Sequence, residues 1–317
     1  MQNLFLIGFL AASVIFSNTF NVSAWDDVGH KITGYIAWQR MSPTARENVI
    51  KTLRSAPEDS DISTFFLAYG PLSEEHKRLE YFMFMPTWAD VVRDRAFPVR
   101  FGKYNKSDWH YTSEFWKQVD GKAVIEPGKV ADGQAVIQLA NAEKGLRDPG
   151  VSNADKAVSL AWFLHLGGDI HQPLHTSSRI TDLEPDGDRG GNTFLLTPEG
   201  TKRDDQLNLH AFWDSIVGRN VPYNAGLCEA DYVRNVAESM ISRYSFDGSK
   251  SVMLLSKFAD WQNESFALAS SDVFRADLVR FETPIDSYRR NAYAVSEKRL
   301  VLAGYRMGET LNEIFGK

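Results

Sequence analysis

Cysteine is almost missing from this chain. Its 317 residues include one cysteine, Cys228, so no internal disulfide can form and no thiolate cluster can hold a metal. Cys228 is expected to be a small buried hydrophobe, and any bound metal must rely on nitrogen and oxygen ligands. Charge is missing from the first 24 residues. A basic excess is missing as well: the formal net charge is −6. That excludes a broad basic surface for nucleic acid but leaves room for an enzyme whose positive charge comes from bound metal. Strand signals are thin, and repeats, low-complexity tracts and linkers are absent. No stretch beyond the N-terminus is long and apolar enough to cross a bilayer.

The uncharged start has a processing signature. Leu4 to Phe16 is an apolar run of signal-peptide length, and Val22-Ser23-Ala24 ends in a small residue suited to cleavage. The usual basic flank is missing. A membrane anchor is the competing reading, but the run is short for a span and Asn18 interrupts the stretch after it. Residues 1–24 are therefore expected to be a signal peptide, with one domain over 25–317. The product would be secreted or periplasmic.

Helical apolar spacing is abundant, in a chain that is 43% hydrophobic and 12% aromatic, enough for a large core. The pattern predicts helices over 29–40, 43–53, 132–146, 153–170, 231–244, 257–271 and 285–315, with Pro43 at a first-turn position and Gly304 as a possible break in the last. The only strand expected is 193–197. The fold class is all-α, a single compact multi-helix domain with at most a small β-hairpin.

Histidine is placed unevenly. Phe163-Leu-His-Leu-Gly-Gly-Asp-Ile-His-Gln-Pro-Leu-His175 holds three of the seven histidines. On a helix, His165 and Asp169 share a face, and Pro173 ends the helix and leaves His175 on the next turn. An imidazole and a carboxylate together, with another ligand just past the helix end, suit a first-row metal. Asn208-Leu-His210-Ala-Phe-Trp-Asp214 repeats the spacing. Trp25-Asp-Asp-Val-Gly-His30, Trp88-Ala-Asp90 and Trp109-His110-Tyr111 add candidates at helix and loop edges. His76, in a charged run, is assigned no role. A lone histidine, or one His-x3-Asp, is common by chance; this combination is not.

These motifs, with Asp188-Arg-Gly-Gly-Asn192, resemble those of the zinc-dependent single-strand nucleases and 3′-nucleotidases of fungi and plants, relatives of the bacterial zinc phospholipases C. The resemblance covers essentially all of 25–317. It implies an exported hydrolase that cuts single-stranded DNA and RNA to 5′-nucleotides, with 3′-nucleotidase activity, acting as a monomer without protein partner or membrane. It also implies three zinc ions. Asp90, His110, His165 and Asp169 would hold the first; His175, His210 and Asp214 the second. The amino group and carbonyl of Trp25, with His30 and the shared Asp169, would hold the third. Six positive charges against three carboxylates make a cationic centre on an acidic protein. In the implied mechanism a hydroxide between the first and third zinc attacks phosphorus in line, while the second zinc stabilises the leaving 3′ oxygen. His171 is read as a supporting residue.

The resemblance further places Asp90 and Arg93 as catalytic residues, one to orient or deprotonate water and the other to contact phosphate. Tyr111 would stack a base, and Ser113, Asn192 and Ser215 would line the substrate site. Ser113 and Ser215 depart from the usual Asp or Asn and Asn, which leaves base preference open. The lack of disulfides differs from the eukaryotic members and points to a bacterial branch. The alternative, a zinc phospholipase C, shares fold and metals but uses Glu where Asp214 stands.

Overall fold

The computed structural model describes residues 25–198, 206–246 and 250–317. The expected signal peptide, 1–24, lies outside the described residues. The rest is mostly helical, as the apolar spacing implies. Asp26 caps the N-terminal helix Asp27–Arg40, its Oδ1 accepting from the Gly29 N–H at 3.0 Å. Ser42 and Pro43 open the helix Pro43–Leu53, and Ser152 caps the central helix Asn153–Asp169. The N-terminal helix packs most extensively on the closing helix Asp286–Phe315. Among the described residues, no helix is long and apolar enough to cross a membrane.

Two apolar cores are filled. One gathers Trp88, Trp162, Phe163 and Leu164 around the central helix. The other gathers Trp25, Trp116, Trp213 and Tyr288. The N-terminal and closing helices feed both, through Trp38 and Met307 on one side and Ile36 and Val301 on the other.

Three expectations change. Cys228 is exposed, at the cap position before the helix Glu229–Arg243, rather than buried. The closing helix runs unbroken through Gly304, where a Cβ would stand 2.5 Å from Ile36 Cβ; the glycine permits close helix packing. Strand content extends past the expected segment, of which Leu195–Leu196 pairs with Leu207–Asn208. Thr112–Val119 pairs antiparallel with Lys122–Ile125 across Asp120-Gly121, with φ of 49° and 76°, the paired left-handed conformation of a tight hairpin turn. It also pairs antiparallel with Asp132–Gly133 and parallel with Ser177–Arg179. That parallel contact brings the segment after His175 alongside the segment after His110.

Candidate metal centre

The central helix sets the centre. Residues 160–169 of it are fully or nearly buried, and His165 and Asp169 face the same way, their Nε2 and Oδ2 3.1 Å apart. The His110 Nδ1 comes to 3.4 Å from the same Oδ2, and the His30 Nε2 to 3.3 Å from Oδ1. His30 can come so close because Gly168 faces it; a Cβ there would stand 3.0 Å from His30 Nδ1. Asp90, on the short helix Trp88–Val91, completes the group, its Oδ1 4.0 Å from His110 Nδ1. Its carboxylate lies with His30 and His165 inside one possible ligand cluster, and His110, His165 and Asp169 form another.

A third possible cluster joins His175, His210 and Asp214. The Asp214 Oδ2 is 3.4 Å from His210 Nε2, and its Oδ1 is 3.9 Å from His175 Nε2. Ligands held tetrahedrally at about 2.05 Å stand about 3.3 Å from one another, so these separations suit an ion at each centre.

The ring tautomers favour cations. A carbonyl can only accept, so the nitrogen bonded to it must donate. His165 Nδ1 gives its hydrogen to the Pro86 carbonyl at 2.6 Å, His175 Nδ1 to the His110 carbonyl at 2.6 Å, and His210 Nδ1 to the Gly190 carbonyl at 2.8 Å. Each ring thereby keeps an Nε2 lone pair for a metal, the usual outcome of outer support. The lone pairs of His175 and His210 then face each other at 3.0 Å, which is repulsive without a cation among them. Both Asp169 oxygens are buried without a hydrogen-bond donor, a costly state for a lone carboxylate.

The two central carboxylates respond oppositely. Burial pushes the Asp214 carboxyl well above the usual range, with Asp26, Asp169 and Asp90 adding to it against the Gln172 amide. Burial acts the same way on Asp169, but the positive charge that His165, His110 and His30 carry when protonated outweighs it and holds that carboxyl well below, a charge that bound metal would replace.

Trp25 is fully buried, its indole Nε1 donating to the Gly168 carbonyl at 3.1 Å. The next residue donates from its backbone to the Asp214 carbonyl at 3.1 Å. Trp25 is thus wedged beside the residues preceding Asp169 and against Asp214.

His171 points elsewhere. Its Nδ1 donates to the Gly167 carbonyl at 2.7 Å, and its Nε2 accepts from Arg306 at 3.0 Å. Arg299 bonds its carbonyl, and Glu264 binds both arginines. This places positive charge at the C-terminal end of the central helix, where the helix dipole favours it. His76 is on the surface, bonded to Ser73.

Arg93 pairs with Asp90 at 3.1 Å. Tyr111, Ser113 and Asn192 line one cavity of about 470 Å³, together with Phe115, Asp132 and Arg189. Ser215 is elsewhere: its hydroxyl donates to the Ala211 carbonyl and accepts from Arg219.

Two supporting groups stand in the quoted motifs without a role that sequence reasoning could assign. Gln172 Nε2 donates to Asp214 Oδ1 at 2.7 Å and fixes that carboxylate. Asp188 anchors the loop that carries the Gly190 carbonyl, its Oδ1 accepting from the Arg179 N–H at 2.9 Å. Its neighbours Arg189, Gly190 and Gly191 have φ of 54°, 64° and 78°. The Gly-Gly pair was the available signal, because successive left-handed residues favour glycine.

Comparison with known proteins identifies the family. The model of the S1/P1 nuclease family matches residues 25–316. Endonuclease 2 of Arabidopsis thaliana is 24% identical over 93% of this chain and 92% of its own length. Nuclease P1 of Penicillium citrinum is 21% identical over 92% of this chain and 98% of its own. Endonuclease 5 of Arabidopsis thaliana is 30% identical over about half of each chain, 50% and 51%. With nearly its whole described length matched, the chain belongs to the S1/P1 nuclease family, whose members act on nucleic acid.

Proposed function

We propose that this nuclease is an exported zinc enzyme, with three ions, that hydrolyses single-stranded DNA and RNA to 5′-nucleotides and also removes phosphate from 3′-nucleotides. The observation that carries the reading is the pair of facing lone pairs on His175 and His210, beside the donor-less buried carboxylate of Asp169. His110, His165, Asp169 and Asp90 would hold one ion. His175, His210 and Asp214 would hold a second. His30, Asp169 and the terminus created at Trp25 would hold a third. Nitrogen and oxygen donors without thiolate suit zinc in a catalytic rather than a structural site. Bound there, zinc would supply Lewis acidity and charge neutralisation toward a phosphodiester.

The chain's own residues do the rest. Asp90 is 22% exposed and so is placed to orient the attacking water and receive its proton. Arg93 restrains that carboxylate and brings positive charge to the edge a phosphate oxygen reaches. Tyr111, next to His110, offers a ring on which a base can stack, worth about 1–3 kcal/mol. Stacking on an open ring needs an unpaired base, which is the reason for the single-strand preference.

Metal analysis of the protein beginning at Trp25 tests the reading together with a nucleolytic assay. About three zinc ions per chain, and chelator-sensitive release of 5′-mononucleotides from single-stranded DNA faster than from duplex, are expected. Metallated protein that leaves single-stranded DNA, RNA and 3′-nucleotides intact while releasing phosphocholine from lecithin would replace it with a phospholipase.

A further inference from the structure

The cavity beside His110 carries more chemistry than hydrolysis requires. It is about 470 Å³, within the range of small-ligand sites. Its walls come from the strand that continues the chain after His110 and from the loop whose Gly190 carbonyl holds His210, so a group seated there is next to the metal centre. Tyr111 and Phe115 supply apolar ring surface. Three charged side chains line the rest. Asp186 is engaged by Lys129 at 3.7 Å. Asp132 accepts from the Tyr111 hydroxyl at 3.3 Å through Oδ2, and its Oδ1 has no donor among the described residues. Arg189 is exposed, and its guanidinium has no hydrogen bond or ion pair among the described residues. Its φ of 54° is unfavourable for an L-residue; such outliers concentrate at functional sites.

We infer that this cavity selects guanine, Arg189 donating to O6 and N7 while Asp132 accepts from N1–H and the 2-amino group. The inference rests on the nuclease reading and gives its base preference. A phosphate would be a poor occupant, since Asp132 repels it and the rings offer it nothing. A flat base satisfies the rings, and the polar pair then ranks the bases. Guanine alone presents both two adjacent acceptors to the guanidinium and, on another edge, two adjacent donors to the carboxylate. Adenine offers one acceptor beside one donor on its major-groove edge, so neither side chain engages it twice. Cytosine can take the arginine fork on O2 and N3 but offers the carboxylate only its 4-amino group, and thymine has a single N–H between two carbonyls, so neither satisfies both side chains. Asn192 and Ser113, which donate and accept, add contacts without reversing the order.

Nucleosides carry no ester to hydrolyse, so their binding is read independently of turnover. Titration calorimetry of the metal-loaded protein with deoxyguanosine, deoxyadenosine, deoxycytidine and thymidine is the test. Deoxyguanosine is expected to bind about tenfold more tightly than the others, the discrimination of one good bidentate contact. The gap should close in Arg189→Gln and in Asp132→Asn. Equal binding of the four, tightest binding of another, or a guanine gap that survives both substitutions would overturn the inference. Selective guanosine binding by a protein that cuts no nucleic acid would leave it standing and remove the nuclease reading of this chain. Cleavage of single-stranded DNA with equal nucleoside binding would do the reverse.

Discussion

Asp169 and Asp214 are both buried carboxylates beside histidines, yet they stand differently in the centre. Asp169 meets His30, His110 and His165 at 3.1–3.4 Å, whereas Asp214 meets His175 and His210. A carboxylate shared between ions sets their spacing, on which in-line displacement depends. Asp169→Asn should therefore lose more activity than Asp214→Asn, and more than the roughly 10–100-fold typical of losing a supporting partner. Rates on single-stranded DNA at measured zinc content check this; equal residual rates at equal zinc would count against a shared Asp169. A different carboxylate adds a pH dependence of its own. Burial lifts Asp188 from 3.8 to about 6, against the N–H groups of Arg179 and Gly191. A carboxyl raised in the fold stabilises it when protonated. Its contribution is complete below about 3.8 and is lost as pH rises through about 6, at most about 3 kcal/mol. Relative to Asp188→Asn, the parent protein should lose stability between pH 4 and 7. Thermal melts of both proteins in chelator would show this as a converging or crossing pair, and parallel curves would mean that Asp188 does not set the pH dependence.

The helices were legible as elements because each carries a stop or start that chemistry imposes. Ser42-Pro43 marks a helix running Pro43–Leu53 as expected, and Ser152 with Pro173 brackets the central one. The hairpin after His110 was missed, although Asp120-Gly121 is the usual two-residue turn pair; its exposed outer strand has no apolar alternation to show beside it. At the site, histidine and aspartate spacing pointed to side chains that the fold brings into possible ligand clusters. The Pro86, His110 and Gly190 carbonyls that orient three of them were invisible, since every residue carries a carbonyl. Arg189 and Asp132 share a cavity because a loop and a strand end converge, which no local pattern encodes. Gly304 was misread for a related reason. Alanine would raise helix propensity there by about 1 kcal/mol, and from sequence a glycine in a helix signals weakness. In the fold a Cβ at 304 meets Ile36 Cβ at 2.5 Å and the Thr33 carbonyl at 3.0 Å. Neither can rotate away, so overpacking of about 1–3 kcal/mol exceeds the propensity gain. Gly304→Ala should lower the urea midpoint and, by displacing the helix that carries His30, weaken zinc retention. A gain in stability would mean that the two helices separate freely.

Across the whole molecule, the possible ligands come from segments spread between His30 and Asp214, so bound metal ties together parts of the chain that packing alone must otherwise align. Ions that bind only the folded state stabilise it by mass action, about 4 kcal/mol at a thousandfold excess over the dissociation constant; chelation should lower the melting temperature, and an unchanged melt would mean that metal adds nothing to the fold. The segment at Trp25 belongs to this arrangement. Trp25 is fixed by its indole to the Gly168 carbonyl, one residue from Asp169, and residue 26 is fixed to the Asp214 carbonyl. The backbone atoms of Trp25 therefore cannot drift from the region where His30 meets Asp169 at 3.3 Å. In a form that retains residues before Trp25, its nitrogen is an amide, planar and without an available lone pair. In a form that begins at Trp25, the same atom is an amine and can coordinate. His30 and the shared Asp169 alone would leave the third ion short of the four ligands that zinc favours. We expect the extended form to bind that ion weakly and to be nearly inactive, while its circular dichroism matches the processed form, since every described helix begins after Trp25. The comparison is made at equal total zinc, with bound metal counted after gel filtration. An extended form that carried three ions and cut single-stranded DNA at the full rate would show that the amino group of Trp25 is not a ligand.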